Sequence, residues 1–150
     1  MKATITAGES AGVGAAHADA DRRKIEEVLQ NYETALNASA TDRVINLFTS
    51  DGVFMPQHSP ASIGADAIRA AYNGVFQAIT FSVELQVEEI VQVARNWAFV
   101  RTHSAGFVTV HANSARVPEA NHELFVFQKG DDDAWRIARY CFSTTNPPRQ

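Results

Sequence analysis

Phe81-Ser82-Val83-Glu84-Leu85-Gln86-Val87-Glu88 alternates apolar with polar side chains, and this period of two decides the fold class. It reads as a strand with one buried face. Toward the C-terminus three further β-rich stretches follow, Trp97 to Val110, Asn121 to Lys129 and Trp135 to Thr145, broken at Asn113-Ser114 and at Gly130-Asp131-Asp132-Asp133. Adjacent strands joined by turn-forming residues form a meander. Toward the N-terminus the period becomes helical. Ile25, Val28, Leu29, Tyr32 and Leu36 share one face of a helix running from Asp19 to about Asn37. Thr41 is placed to cap a short second helix carrying Val44, Leu47 and Phe48, which stops at Ser50-Asp51-Gly52. Val53-Phe54-Met55 reads as a short strand and Pro56 to Gly64 as a loop; Ile68, Ala71, Tyr72, Val75 and Phe76 then mark a third amphipathic helix. Helices followed by a run of strands, without alternation, predict an α+β domain whose helices cover one face of an antiparallel sheet. The later strands are apolar on both parities, with Trp97, Phe99 and Phe107 against Val100, Val108 and Val110. Both sheet faces are therefore expected to be covered, one by helices and the other by a second copy, which predicts a homodimer.

The chain of 150 residues holds one domain, placed at residues 19–146. Residues 1–18, with few large apolar side chains, read as a loose tail, and 147–150, opened by two prolines, as a short C-terminal one. Thirteen Lys+Arg against 17 Asp+Glu leave a net charge of −4, so no general attraction to nucleic acid is expected. No window is apolar enough to cross a membrane, and the N-terminus lacks a secretory signal pattern. Cys141 is the single cysteine, so no intramolecular disulfide can form, and a cytoplasmic location is expected.

The sequence contains no phosphate-cradling glycine loop, dinucleotide fingerprint or serine nucleophile elbow. His58, His103, His111 and His122 have no recognised metal spacing, so neither a metal nor a cofactor is expected. Attention falls instead on polar groups set in apolar stretches. Tyr32 and Tyr72 lie on the core faces of their helices, where each hydroxyl needs a partner. Glu123 shares parity with Phe125 and Phe127, so it points toward an apolar interior that would raise its pKa. Arg101 and His103 share parity with Trp97, Phe99 and Phe107, and Glu89 lies on the apolar parity of its strand unless a bulge intervenes at Glu88-Glu89. Purely structural roles stand beside these readings: tyrosines as anchors, Glu123 and Arg101 as an ion pair, the histidines as surface residues, and Glu89 as a solvent-facing one.

Tyr32-Glu-Thr-Ala-Leu-Asn-Ala, Leu47-Phe48-Thr-Ser-Asp51-Gly and Gly64-Ala-Asp-Ala-Ile68-Arg-Ala-Ala-Tyr72 resemble the bacterial ketosteroid isomerase pattern. The resemblance covers residues 20 to 145 and places the chain in the nuclear transport factor 2-like superfamily, beside the SnoaL-like polyketide cyclases. Arg101-Thr-His-Ser-Ala-Gly, Glu123-Leu-Phe-Val-Phe and Trp135-Arg-Ile-Ala-Arg-Tyr140 look most like its SgcJ/EcaC-like subgroup. The implied fold is a cone of curved antiparallel sheet wrapped around three N-terminal helices, a cystatin-like α+β barrel that is commonly dimeric through the sheet. The resemblance also implies that Tyr32 and a protonated Glu123 donate hydrogen bonds to an enolate oxygen, with Tyr72 supporting the network. Where the family's general-base aspartate is expected, Met55-Pro56 stands, and His58 is the nearby candidate to replace it. The expected ligand is a small carbonyl-bearing or aromatic molecule undergoing cofactor-free isomerisation, cyclisation or dehydration. Trp97, Arg101, His103, Phe107, Phe125, Tyr140 and Phe142 are the expected ligand contacts. The alternative is a non-catalytic ligand-binding or dimerisation module of the same fold, favoured by the missing aspartate.

Overall fold

The computed structural model describes residues 11–148, with side chains from His17 onward. Three helices precede most of the sheet: α1 (Ala11–Asn37), α2 (Thr41–Ile45) and α3 (Ala65–Ala78). The strands are β1 (Phe48–Met55), β2 (Ser62–Ile63), β3 (Ile79–Ala94), β4 (Trp97–Val110), β5 (Arg116–Lys129) and β6 (Trp135–Thr144). They form one curved sheet in the order β2-β1-β6-β5-β4-β3. The expected α+β architecture is present, and β3 to β6 form the meander. One pairing departs from the antiparallel expectation: β1 runs parallel to β6. β1 is also longer than the three residues read from sequence, because Phe48, assigned to the second helix, turns inward as the first residue of the strand.

Ile25, Leu29, Tyr32 and Ala35 follow one another around α1 at three- and four-residue steps and are all buried. They pack with Ile68 and Tyr72 of α3 against the inward residues Val100, Phe125, Phe127 and Ile137 of the sheet. α1 begins eight residues earlier than expected. Four alanines in the stretch at 11–18 favour continuing the helix, against Gly12 and Gly14, whereas residues 1–10 of the expected tail lie outside the described residues. At its other end α1 stops where expected. Asn37 Nδ2 donates to Val83 O at 2.8 Å and Asn37 Oδ1 accepts from Val83 N at 3.0 Å, fastening the helix terminus to the edge strand β3. The chain then reverses through Ser39 at φ 53°. Thr41 opens α2 as a helical residue and is not its cap: Ala40 occupies that position, without a side-chain capping bond.

A register shift between Val87 and Glu89 supplies the bulge on which the reading of Glu89 depended. It turns Glu89 to the outer face, where Arg101 Nε donates to Glu89 Oε1 at 2.6 Å. His103 pairs with Glu88 on that same face. In β4 the buried residues are Ala98, Val100, Thr102, Ser104 and Val108. Trp97, Arg101, His103 and Phe107 therefore belong to the opposite, outer face of the sheet. Phe107 lies there beneath the Arg116 guanidinium, 4.0 Å from its ring centre.

Between α1 and the end of the sheet, Asp21 is buried and receives hydrogen bonds from Trp135 Nε1 at 3.0 Å and Gln92 Nε2 at 3.1 Å, with Lys129 Nζ at 3.1 Å. Burial pushes its carboxyl upward, but these partners outweigh burial and hold it below its ordinary value. This is a satisfied structural clamp. No helix among the described residues is long and apolar enough to cross a membrane.

Candidate active site

The inner face of the sheet and the helices enclose a cavity of about 550 Å³, a size that suits a small organic ligand. The chain has three tyrosines, and all three converge on this cavity: Tyr32 from α1, Tyr72 from α3 and Tyr140 from β6. Each is there for a local reason. Tyr32 and Tyr72 occupy core-facing helical positions, and Tyr140 follows the inward parity of β6 after a bulge opposite Val126 and Phe127. The Tyr32 and Tyr72 hydroxyls lie 2.7 Å apart, and either can donate. Phe54 stacks on Tyr72 at 4.8 Å and on Tyr140 at 5.4 Å between ring centres; Phe125 stacks on Tyr140 at 4.2 Å. These stacks fix the phenols in place.

Burial pushes the Tyr32 phenol up to about 12, opposed by hydrogen bonding from Tyr72 and Tyr140, with the charge of Glu123 adding to the rise. Tyr72 and Tyr140 are raised well above the ordinary value near 10, again chiefly by burial. All three phenols are therefore neutral donors at physiological pH. Hydrogen bonding from the neighbouring phenols stabilises charge on the Tyr32 oxygen, the property wanted in a group that donates to a developing oxyanion.

Glu123 lies on the inward parity of β5 and is buried beside the same cavity. Thr102 Oγ1 donates to its Oε1 at 2.7 Å and Ser104 Oγ to its Oε2 at 2.9 Å. Burial raises its pKa above the ordinary 4.5, against the lowering effect of these two hydroxyls and of His103 and His122. A carboxyl raised by burial yet held at both oxygens by donors can exchange a proton in either direction. Arg101 is not its partner; that guanidinium is on the outer face with Glu89.

The cavity thus unites Tyr32, Tyr72, Glu123, Tyr140 and Phe142, whereas Phe125 lies fully buried just behind them. Trp97, Arg101, His103 and Phe107 do not line it, because they occupy the outer parity of β4. His58 is exposed in the rim loop at φ 60° and is likewise absent from the lining, which its neighbours Pro56, Gln57 and Ser59 join. Met55 is 42% exposed and Pro56 has no group to take a proton, so the position expected for a base carries none. Gln57 accepts from the Thr144 amide and ties the rim loop to β6.

Sequence reasoning missed Thr102, Ser104, Glu119 and Asn121. The first two are polar residues on the same parity as Val100 and Val108, a signal legible only once that parity is known to face inward. Thr102 then pairs directly across from Glu123. Glu119 and Asn121 continue the Glu123 parity along β5 toward the cavity mouth, and Asn121 Nδ2 donates to Glu119 Oε1 at 2.7 Å. Among the described residues no cluster of His, Cys, Asp and Glu is arranged to hold a metal ion.

The sequence pattern of the SnoaL-like domain matches residues 19–140. No curated protein matches the sequence. Among solved structures, a ketosteroid isomerase-like protein from Erwinia carotovora atroseptica SCRI1043 is 36% identical, with 82% of this chain and 95% of that one covered at a TM-score of 0.79. A candidate scytalone dehydratase from Novosphingobium aromaticivorans DSM 12444 is 17% identical, with 88% and 89% covered and a TM-score of 0.78. A hexachlorocyclohexane dehydrochlorinase, LinA type 2, is 9% identical with 88% and 90% covered, also at 0.78. These last two share the fold alone, described in another structural neighbour as NTF2-like and cystatin-like.

Proposed function

The chain belongs to the SnoaL-like domain family, and we propose that its cavity binds a small, largely apolar carbonyl-bearing or aromatic molecule and carries out cofactor-free proton transfer on it. The observation that supports this most is the hydrogen-bonded pair Tyr32–Tyr72 in one apolar cavity with a buried carboxyl, Glu123. Tyr32 is the donor to the substrate oxygen, and Tyr72 and Tyr140 polarise it. Glu123 is the group that moves the proton. This differs from the role of fixed donor implied by the family resemblance, because both Glu123 oxygens already accept from hydroxyls, an arrangement that favours the carboxylate. For a β,γ-unsaturated ketone, Glu123 removes a proton from the carbon between the carbonyl and the double bond. The electron pair moves onto the carbonyl oxygen, which Tyr32 stabilises. Return of the proton to the γ-carbon gives the conjugated ketone and restores the carboxylate.

The reading is tested with 3-cyclohexen-1-one as the probe substrate, following ultraviolet absorbance of the conjugated product. The wild-type protein is expected to accelerate isomerisation, and Tyr32→Phe or Glu123→Gln to slow it by about 10²-fold or more. His58→Ala is expected to leave the rate unchanged, since His58 is exposed outside the cavity lining. Unchanged rates in both cavity variants would refute the assignment. The second reading, a ligand-binding module without chemistry, is favoured by one observation, the Met55-Pro56 pair where a base is expected. Saturable binding of 2-naphthol by a protein that leaves the ketone unchanged would support it.

A further inference from the structure

We propose that Glu119 sets the charge selectivity of the cavity, favouring ligands whose end remote from Tyr32 is an amine or a hydroxyl over those ending in a carboxylate or phosphate. This inference rests on reading the cavity as a ligand site. Three observations carry it. First, no Lys, Arg or His is among the described residues that line the cavity, and its two formally charged groups are both carboxyls, Glu119 and Glu123. An anion entering here would lose water without meeting a countercharge. Second, Glu119 is held in place: Asn121, only 8% exposed, donates to Glu119 Oε1 at 2.7 Å, and among the described residues no cation pairs with this carboxylate. Its other oxygen remains able to accept from a ligand.

Third, Glu119 and Glu123 share one face of β5 four residues apart, which is about 13 Å along an extended strand. With Asn121 between them, acceptors run along one wall from the mouth to the level of Glu123. A ligand whose oxygen meets Tyr32 and which spans two or three rings would place its other end against Glu119. The field of a partly buried carboxylate in an apolar cavity wall also acts on any charged ligand during entry.

The test compares three probes of one size on the full chain: 2-naphthylmethylamine as the cation, 2-naphthalenemethanol as the neutral form and 2-naphthoate as the anion, by calorimetric titration at neutral pH and low salt. The amine is expected to bind at least about tenfold more tightly than the naphthoate. Glu119→Gln is expected to bring the amine to within about threefold of the alcohol, and Glu119→Lys to reverse the order in favour of the naphthoate. Unchanged binding of 2-methylnaphthalene, a fourth ligand with no polar end for Glu119 to meet, reports an intact cavity in each variant. An amine preference that survives Glu119→Gln, or alcohol binding with no charge preference in the wild type, would overturn the role of Glu119 alone. Failure of all three probes to bind would overturn the ligand-site reading and this inference with it.

Discussion

Glu123 is enclosed by the hydroxyls of Thr102 and Ser104 on the inner face of β5, and burial raises its pKa above 4.5. A carboxyl whose pKa is higher folded than unfolded binds its proton more tightly in the folded state. Its favourable contribution is complete below the unfolded value and is lost as pH rises through the folded one. Glu123→Gln has no such loss. The stability of this variant relative to wild type is therefore expected to increase as pH is raised from about 4 toward neutrality, read from denaturant unfolding at each pH. A pH-independent difference would show that Glu123 does not titrate across this range. Tyr32, Tyr72 and Glu123 were legible in the sequence because each places a polar group on an otherwise apolar face, so one parity or helical-face assignment identifies it. Trp97, Arg101, His103 and Phe107 misled for the converse reason. With apolar residues on both parities of β4, nothing local distinguishes the inward set, and choosing the bulky aromatics selects the outer one.

At the level of elements, β4 and β3 meet at Gly106, whose φ is 153°. A Cβ there would lie 2.1 Å from Ser82 O and 2.8 Å from Val83 Cα, so only glycine admits this close approach of two backbones. Val83 is the same residue that Asn37 grips from the helical side. Helix terminus, edge strand and glycine are thus joined at one point beside the cavity lining. Gly106→Ala is expected to destabilise the fold by about 3 kcal/mol or more, measured by denaturant unfolding, because the clash is with backbone and has no flexible side chain to relieve it. α1, α3 and β3 were readable because their periods persist over many residues, and β4 to β6 because β-rich stretches are separated there by turn-forming residues. Gly106 itself gave no signal, since a single glycine inside a strand pattern does not reveal what approaches it.

For the whole molecule, the outer face of the sheet carries Leu124, 42% exposed, Phe107, Phe99 and Val126 together with the Arg101–Glu89 and His103–Glu88 pairs. The proposal of a homodimer rests on this mixture of apolar surface and paired charges, which a second copy of the sheet would cover. Light scattering at micromolar concentration is expected to give twice the mass of the chain, and Leu124→Glu to shift it toward the monomer. A wild-type mass of one chain would refute the proposal. The meander of β3 to β6 could be foreseen from sequence, since neighbours in the chain are neighbours in the sheet. The parallel contact of β1 with β6 could not, because it joins Phe54 to Tyr140 across most of the chain and no local pattern encodes such a pairing.

That contact also sets the order in which a nascent chain can finish its work. While the ribosome is still making β5, β1 has been synthesised but lacks its neighbour β6, and the third phenol does not yet exist. Emergence of β6 supplies both at once, so the pocket acquires its last wall and its last hydroxyl in a single late event.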